Sequence, residues 1–148
     1  MAVGEMTIDI AAPPEAVLPV LTDYEKYPDI LQNMESAEVL HRTAEYVDAQ
    51  FTLNLVRRVT YTLRLRETAP DGLSWSLIEG PFLSNDGTWT LTRLPDGSTR
   101  ARYRVEVRVA VFVPRRLADK LVTHSLPAIV TAFKEEAERR HRVSTSVR

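Results

Sequence analysis

The chain has 148 residues, of which 44% are hydrophobic and 26% charged, and its formal net charge at pH 7 is −1. This composition excludes a wholly disordered chain, and the near-neutral charge provides no global attraction to nucleic acid or acidic membranes. The absence of cysteine excludes disulfides, thiolate catalysis and thiolate metal sites. The length predicts one domain, residues 1–148.

The N-terminal part of the chain predicts one strand followed by two short helical pieces. Met6–Ile10 alternates as a strand does, and the prolines that follow exclude further ladder pairing. A short helix is predicted over Pro14–Leu21, and a second piece is predicted to be capped by Asp23 and to be ended or bent by Tyr27-Pro28. No basic segment followed by an apolar run opens the chain, and no stretch has membrane-spanning length, so a cytoplasmic protein is expected.

The middle of the chain alternates apolar and polar residues at hairpin spacing, which predicts successive strands. These strands are expected over Ala37–His41, Val47–Leu55, Val59–Arg66, Leu73–Glu79, Trp89–Leu91 and Ala101–Val109. Turns are predicted at Asp71-Gly72 and at Pro95-Asp96-Gly97, and a bulge or bend at Asn85-Asp86-Gly87. With the first strand this makes about seven, which implies an α+β fold with an antiparallel sheet and helices on one face.

The last predicted element is a long helix over Pro114–Arg142, followed by a frayed tail. Its apolar stripe is predicted to consist of Leu117, Leu121, His124, Ser125, Ala128, Ile129, Ala132 and Phe133. The stripe mixes small and polar groups with large ones, and Pro127 removes a backbone hydrogen bond in mid-helix, which is expected to bend the axis. A bent helix with a partly small face predicts a space beneath it. A helix packed on a solid core is the alternative.

The order of predicted elements resembles the helix-grip, START-like superfamily of lipid-transfer proteins and polyketide cyclases. Ile8–Val17 and Leu21–Leu31 are similar to the opening of its coenzyme Q-binding and ribosome-association-toxin-type branch, and Glu79–Phe82 with Gly87–Trp89 matches that branch again. The resemblance covers nearly the whole chain. It implies one START-like domain in which a curved antiparallel sheet wraps around the long C-terminal helix. A hydrophobic small molecule such as a quinone, isoprenoid lipid or polyketide would be bound between them, and no cofactor is expected.

The residues predicted to bind this ligand occupy the inward strand positions. Read from the alternation, they are Phe51, Leu53, Leu55, Tyr61, Leu63, Trp75, Trp89 and Tyr103, whose phenol and indole groups could orient a ring or a carbonyl. The predicted set also contains Tyr27, Leu121, His124, Ser125 and Ala128. The alternative is a plain core without a ligand, in which His124 is a boundary residue bonded to the sheet.

Arg58 and Tyr61 are the catalytic residues that the resemblance implies if the chain is a polyketide aromatase/cyclase. An arginine near this hairpin is thought to polarise a substrate carbonyl in such cyclases, and Tyr61 could help to stabilise an enolate. Met34 stands where the family pattern has a tyrosine, so the cyclase pattern is incomplete. A solvated hairpin charge is the preferred interpretation of Arg58.

Arginines on outward strand positions suggest a basic face for RNA, a ribosome or anionic lipid. They are Arg64, Arg66, Arg100, Arg102, Arg104 and Arg108. A solvated face is preferred, because acidic neighbours such as Glu67 and Glu106 allow cross-strand pairing and no exposed aromatic residues are interleaved. Val109–Val113 predicts a buried strand end or an apolar rim where a membrane or second subunit meets the cavity mouth. The histidines lack metal-ligand spacing, so no metal site is predicted.

Overall fold

The computed structural model describes residues 2–54, 58–109 and 115–146, and within the last segment the side chains of residues 116 and 125–145. The order of elements is that predicted from the sequence. In chain order they are β1 (Ala2–Ile10), α1 (Pro14–Leu21), a 3₁₀ helix (Tyr24–Lys26), α2 (Tyr27–Ile30), β2 (Met34–Arg42), β3 (Val47–Asn54), β4 (Arg58–Thr68), β5 (Gly72–Glu79), β6 (Phe82–Arg93), β7 (Thr99–Val109) and α3 (Arg115–Ser146).

The seven strands form one antiparallel sheet in the order β1-β7-β6-β5-β4-β3-β2. Strands β2 to β7 follow one another as hairpins, and β1 pairs with β7, so the first and last strands of the chain meet at one edge. Bulges interrupt the pairing in β2, between β4 and β5, and at the start of β6. Such bulges bend strands. The curved sheet and the long helix together are the expected helix-grip architecture, and that prediction is confirmed.

The strands form because apolar and polar residues alternate with the period of the pleat. In β7, Ala101, Tyr103 and Val105 are buried, whereas Arg100 and Arg102, which alternate with them, are exposed. Each of the seven strands contributes at least one buried hydrophobic residue to a single core that it shares with α1, α2 and α3. We call the side of the sheet that faces this core the inner face.

The buried stripe of α3 differs in part from the predicted one. Phe133 is buried as predicted, and Ile129 and Ala132 are half-buried. Leu126, Val130 and Ala137 are also buried, whereas Ser125 and Ala128 are exposed. Both sets have helical spacing, so periodicity alone did not distinguish them. The helix buries the set that holds the larger apolar side chains, because that choice removes more apolar surface from water.

The C-terminal half of α3 is fixed to the start of the chain by charged side chains. A carboxylate oxygen of Glu138 accepts hydrogen bonds from the Ala11 backbone N–H at 2.8 Å and from Lys134 Nζ at 2.7 Å. Lys134 Nζ also donates to the Asp9 carbonyl at 2.8 Å. The helix therefore lies along β1 and α1, which are its nearest neighbours among the described elements.

Several local predictions are corrected by the structure. The helix continues past Arg142 to Ser146, and its predicted start at Pro114 lies outside the described residues. Asp23 makes no capping hydrogen bond and instead accepts one from Arg140. Tyr27-Pro28 interrupts the second helical piece as predicted, since the 3₁₀ helix ends at Lys26 and α2 begins at Tyr27, where a proline in the first turn is tolerated.

The local detail of β6 also differs from the prediction. Strand β6 runs without interruption through residues 85–87, and its bulge lies between Phe82 and Ser84.

On α3, Glu136 accepts hydrogen bonds from both Arg139 and Arg140. These arginines lie three and four residues further along the helix, and both spacings bring side chains next to each other.

Candidate ligand-binding site

The inner face carries aromatic residues from five neighbouring strands, and the register brings them together. Phe51 lies opposite Tyr61, and Trp89 lies opposite Tyr103. Trp75 reaches the same region from β5, where it pairs with a glycine of β6. We call these five residues the aromatic wall. Phe51, Trp89 and Tyr103 are buried, whereas Tyr61 and Trp75 are half-buried.

The rings of the aromatic wall contact one another. The ring centroids are 5.8 Å apart for Phe51 and Tyr61, 5.7 Å for Trp75 and Tyr103, and 4.9 Å for Trp89 and Tyr103. These separations lie within the range of favourable aromatic pairs. The wall therefore consists of rings in contact and not of isolated side chains.

Helical residues cover two members of the wall, Trp89 and Phe51, on the side away from the sheet. Phe133 of α3 contacts Trp89 edge to face, with centroids 5.8 Å apart. Tyr27 of α2 stacks on Phe51 at 5.5 Å, and its hydroxyl donates a hydrogen bond to the Leu21 carbonyl. Because that hydroxyl proton already has a partner, Tyr27 contributes mainly a ring to the predicted site.

Two glycines make room for the aromatic wall. A Cβ atom at residue 87 would lie 2.1 Å from Cζ2 of Trp75, so only glycine lets the indole lie across the neighbouring strand. A Cβ atom at residue 80 would lie 2.7 Å from Cβ of Tyr61. Such contacts are far below van der Waals distance. The absence of side chains at 80 and 87 thus fixes where two wall residues lie.

A polar side chain holds Trp75 in place. Its indole Nε1–H donates to Oδ1 of Asn85 at 3.2 Å. Asn85 was assigned to a predicted bend and was missed as a site residue. The signal was present, because residues 85, 87, 89 and 91 alternate with the same period as the rest of β6 and so share its inner face.

The hydroxyls of Tyr61 and Tyr103 have no hydrogen-bond partner among the described residues, although Tyr103 is only 8% exposed. Burial raises the pKa of both hydroxyls, and the nearby Tyr61 raises that of Tyr103 further, so both stay neutral at physiological pH. A neutral hydroxyl can donate a hydrogen bond, so the described part of the chain leaves two donors of the aromatic wall without a partner.

The remaining predicted binding residues fall into three groups. Leu53 and Leu63 lie on the inner face, half-buried and buried respectively. Ser125 and Ala128 are exposed on α3 and lie off its buried stripe. Leu55 lies outside the described residues, and the side chains of Leu121 and His124 lie outside the described side chains.

Arg58 does not share the environment of Tyr61. Its side chain is 66% exposed and pairs with Glu35, with Nε 2.6 Å and Nη2 2.9 Å from the carboxylate oxygens. Tyr61 faces the core, where its ring contacts Phe82 at 5.7 Å. The two proposed catalytic residues therefore lie in different surroundings, because strand positions three apart point to opposite faces.

The arginines of the outer face are largely paired with acidic side chains. Arg64 donates to both carboxylate oxygens of Asp48 at 2.9 Å, and its guanidinium lies over the Tyr46 ring. The other ion pairs are Arg100 with Asp9, Arg102 with Glu5, and Arg104 with Glu5 and Glu106. Arg66 and Arg108 are exposed. Cross-strand pairing thus offsets much of the charge of this face.

The described residues contain neither a metal-binding cluster nor a membrane-spanning helix. No group of three or more His, Asp or Glu side chains there could hold a metal ion. No helix within that part of the chain is long and apolar enough to cross a membrane. Of the predicted apolar rim, only Val109 is described, at the end of β7, and residues 110–113 lie outside the described ranges.

An open groove of about 650 Å³ lies elsewhere, between α2 and the end of α3. Its charged walls include Asp23, Glu136 and Arg140, which bond to one another. Because these three groups already satisfy each other, they offer a ligand little that is unpaired. The aromatic wall is the stronger candidate site.

The chain matches one known protein family by sequence, and it shares its fold with several solved structures. The family described as polyketide cyclase / dehydrase and lipid transport matches residues 10–134. No curated protein matches the chain by sequence. Among solved structures, TTHA0849 from Thermus thermophilus is 20% identical with a TM-score of 0.83, covering 91% of this chain and 96% of its own.

Two other solved structures have the same fold. A START superfamily protein from Mycobacterium smegmatis is 18% identical with a TM-score of 0.82, covering 94% of this chain and 99% of its own. The Zhui aromatase/cyclase from Streptomyces sp. R1128 is 24% identical with a TM-score of 0.82, covering 93% of this chain and 94% of its own.

Proposed function

Because this chain belongs to the polyketide cyclase / dehydrase and lipid transport family, we propose that it binds and carries a hydrophobic small molecule between the inner face and α3. A quinone, an isoprenoid lipid and a polyketide-like molecule all have the required apolar character. The observation that carries the proposal is the pair of neutral hydroxyls on Tyr61 and Tyr103, which have no hydrogen-bond partner among the described residues although they belong to an otherwise apolar wall. In a core that serves packing alone, such hydroxyls would be hydrogen-bonded within the protein or absent.

The first experiment asks whether any guest is bound. The purified protein is extracted with organic solvent and the extract is analysed by mass spectrometry, and thermal unfolding is followed with palmitate, ubiquinone or an anthraquinone added. A ligand at about 100 times its Kd is expected to stabilise the fold by about 2.7 kcal/mol, which raises Tm by several degrees. No extracted molecule and no thermal shift with any probe would contradict the proposal.

A matched pair of variants tests whether the inner face is the site. Leu53→Trp adds bulk on the inner face beside Phe51, whereas Thr90→Trp adds a bulky side chain at an exposed position of β6. We expect Leu53→Trp alone to reduce the thermal shift, because it occupies space that the ligand needs. Equal shifts in both variants would place the ligand elsewhere.

Polyketide aromatase/cyclase activity is the second candidate function. The family description and the likeness to an aromatase/cyclase favour it, and the free Tyr61 hydroxyl is a donor that could stabilise an enolate oxygen. Arg58 would have to leave Glu35 to reach a substrate. The test compares Arg58→Ala and Tyr61→Phe with the outer-face control Arg66→Ala on a reactive poly-β-ketone. An unchanged product distribution in the first two variants would dismiss cyclase activity.

A further inference from the structure

The hairpin of β5 and β6 separates before it reaches its turn. Backbone pairing between these strands ends at Trp75 and Gly87, although both strands continue beyond that point. There β5 stays paired with β4, and β6 stays paired with β7. We call the interval between Ser76–Glu79 and Phe82–Asp86 the seam, and all of its residues lie in the described part of the chain. The seam lies inside the sheet, because β5 and β6 are interior strands.

A bulge lies on each side of the seam. Ile78 is the extra residue of β5, since the residues before and after it pair with Leu63 and Thr62 of β4. Leu83 is the extra residue of β6 opposite β7. A bulge bends its strand and increases the local twist. Each strand therefore follows its outer neighbour rather than its partner in the hairpin.

The two extra residues give the seam an apolar rim. Ile78 is 48% exposed and Leu83 is 60% exposed, although contact of such side chains with water is unfavourable. They precede and follow the Gly80-Pro81 turn by two residues each, so they lie at the same end of the hairpin. Neighbouring exposed apolar side chains are typical of surfaces that meet an apolar partner.

The inner face is less well covered along the seam than in the paired part of the same hairpin. Leu73 and Trp89, where the strands are paired, are each 3% exposed. Trp75, Leu77 and Asn85, which begin and line the seam on the inner face, are half-buried. Inner-face side chains of this hairpin are thus more accessible where its strands separate.

A hydrogen bond between side chains joins the two strands where the backbone ladder stops. The indole Nε1–H of Trp75 donates to Oδ1 of Asn85 at 3.2 Å, near the long end of the usual range. Exchange of a single bond of this kind for one with water changes the free energy little, whereas opening a ladder breaks several bonds together. The seam can therefore widen more easily than the paired part of the hairpin.

The seam is held at both ends. The ladder closes it at Trp75 and Gly87, and the Gly80-Pro81 turn closes it at the other end. Beside that turn, the Phe82 ring contacts Tyr61 of β4 with centroids 5.7 Å apart. Four residues of extended chain span about 13 Å. The seam consequently has the shape of a slot, which a flat or extended molecule can pass edge-on when the strands move apart.

We propose that the seam is a passage through the sheet, by which an apolar guest enters and leaves the inner face, and that Trp75 and Asn85 form its latch. This inference rests on the proposed binding function and adds a route to it. The guest meets the rim of Ile78 and Leu83 first and reaches the aromatic wall after the latch opens. Closing a passage slows binding and release by the same factor and leaves Kd unchanged, because Kd is the ratio of the two rate constants.

The test locks the seam with a reversible covalent bond. Ser76 and Asp86 point to the outer face, because they pair with Arg64 and Glu106, and the register of the hairpin places them opposite each other across the seam. Ser76→Cys together with Asp86→Cys forms a disulfide on oxidation, and the natural chain has no other cysteine to interfere. If mass spectrometry shows no disulfide, bis-maleimidoethane bridges the two thiols over a longer distance.

The matched control joins the same two strands where they are already paired. Ser74 and Thr88 are opposite each other in the ladder of the same hairpin, also on the outer face. Ser74→Cys together with Thr88→Cys adds an equivalent bond without closing the seam. None of the four substituted residues belongs to the aromatic wall.

Stopped-flow fluorescence measures the binding and release of Nile red, whose emission increases in apolar surroundings. Leu53→Trp identifies the signal from the inner face, because the added ring fills space there. We expect the locked 76/86 pair to bind and release the dye about tenfold more slowly than its reduced form, with equal Kd, and the 74/88 pair to show no change. Asn85→Ala removes the latch and is expected to accelerate binding about fivefold. Loss of a dye contact alone would accelerate release only.

The outcomes separate the passage from the proposed function. Inner-face binding of Nile red with equal rates in the locked and reduced 76/86 pair would overturn the passage and leave the proposed function standing. A changed Kd in the locked form would overturn it too, because the bond would then act on the site. Unaltered binding rates in Asn85→Ala would exclude the latch. If neither Nile red nor any probe of the first experiment binds at the inner face, both are wrong.

Discussion

The candidate site depends on residues without a side chain as well as on residues with an aromatic ring. Gly80 and Gly87 have no side chain, and Tyr61 and Trp75 occupy the space that a Cβ atom would need. Asn85 then fixes the indole by accepting its N–H. A binding surface held by close packing and a hydrogen bond is preorganised, which reduces the entropy that a ligand would lose on binding.

Gly87→Ala tests this arrangement. The new methyl group would overlap Cζ2 of Trp75, so the indole must move and its hydrogen bond to Asn85 must lengthen or break. We expect the free energy of unfolding to fall by about 1–3 kcal/mol, as is typical of overpacked sites. Urea denaturation measures the change, with the exposed neighbour substitution Thr88→Ala as control. Equal stability of both variants would show that Trp75 is not confined.

Residue patterns in the sequence identified most of the aromatic wall but not its polar partner. Phe51, Tyr61, Trp75, Trp89 and Tyr103 all lie on the inner face, because alternation follows directly from strand geometry. Asn85 was missed, since Asn-Asp-Gly is also a common turn sequence and local chemistry favours that interpretation. Only the pairing of β6 with β7 shows that the segment is extended.

At the scale of the element, the long helix α3 could bury either of two faces. Its sequence permits a stripe that contains Ser125 and Ala128 and another that contains Leu126 and Val130. The second is buried. The hydrophobic effect explains the choice, but which stripe meets the sheet also depends on where β1 and α1 place the helix.

Paired substitutions on α3 test this orientation. Leu126→Ala removes a side chain that is 6% exposed and is expected to lower the free energy of unfolding by about 2–4 kcal/mol. Ser125→Ala, one residue away on the exposed side, is expected to change it by less than about 0.5 kcal/mol. Chemical denaturation of both variants provides the measurement. A reversed order of the two effects would mean that α3 is rotated about its axis.

The far end of α3 is expected to make stability depend on pH. Hydrogen bonds from Arg139 and Arg140 to Glu136 lower the pKa of that carboxyl from 4.5 to about 2. A carboxyl whose pKa is lower in the folded state stabilises the fold above its unfolded pKa, and this stabilisation disappears as the pH falls from 4.5 toward 2. Arg140 also bonds to Asp23, so the contribution involves the contact between α3 and the segment after α1.

Glu136→Gln is expected to remove part of this acid sensitivity. Between about pH 5 and pH 3, the free energy of unfolding of the unmodified chain is expected to fall by about 1–2 kcal/mol more than that of the variant. Glu135→Gln, at an exposed position one residue earlier, serves as the control. Denaturation with urea at several pH values measures the slopes. If Glu136→Gln and the unmodified chain lose stability in parallel, the arginine contacts do not act as described.

At the scale of the whole molecule, the sheet separates two surfaces of different character. The inner face is apolar with a few neutral donors, and the outer face carries arginines paired with acidic residues of adjacent strands. Each acidic partner neutralises an arginine that could otherwise bind a phosphate group. A surface of such pairs therefore attracts polyanions only weakly.

We therefore predict that the chain does not bind single-stranded RNA at physiological salt. Fluorescence anisotropy with a labelled oligonucleotide of about 20 nucleotides is expected to show no saturable binding at about 0.15 M salt. Binding that weakens steeply as salt increases, and that Arg66→Ala together with Arg108→Ala abolishes, would revive the ribosome or RNA hypothesis. Both of these arginines are exposed.

The sequence by itself determined the order of elements, the antiparallel sheet and the inward aromatic residues of this protein. These follow from local rules, because the two-residue period of strands and the turn preferences of glycine and proline act over a few residues. The face that α3 buries and the partner of Trp75 were decided only by the tertiary structure. Each depends on which strands and helices become neighbours, and contacts between residues distant in the chain determine that.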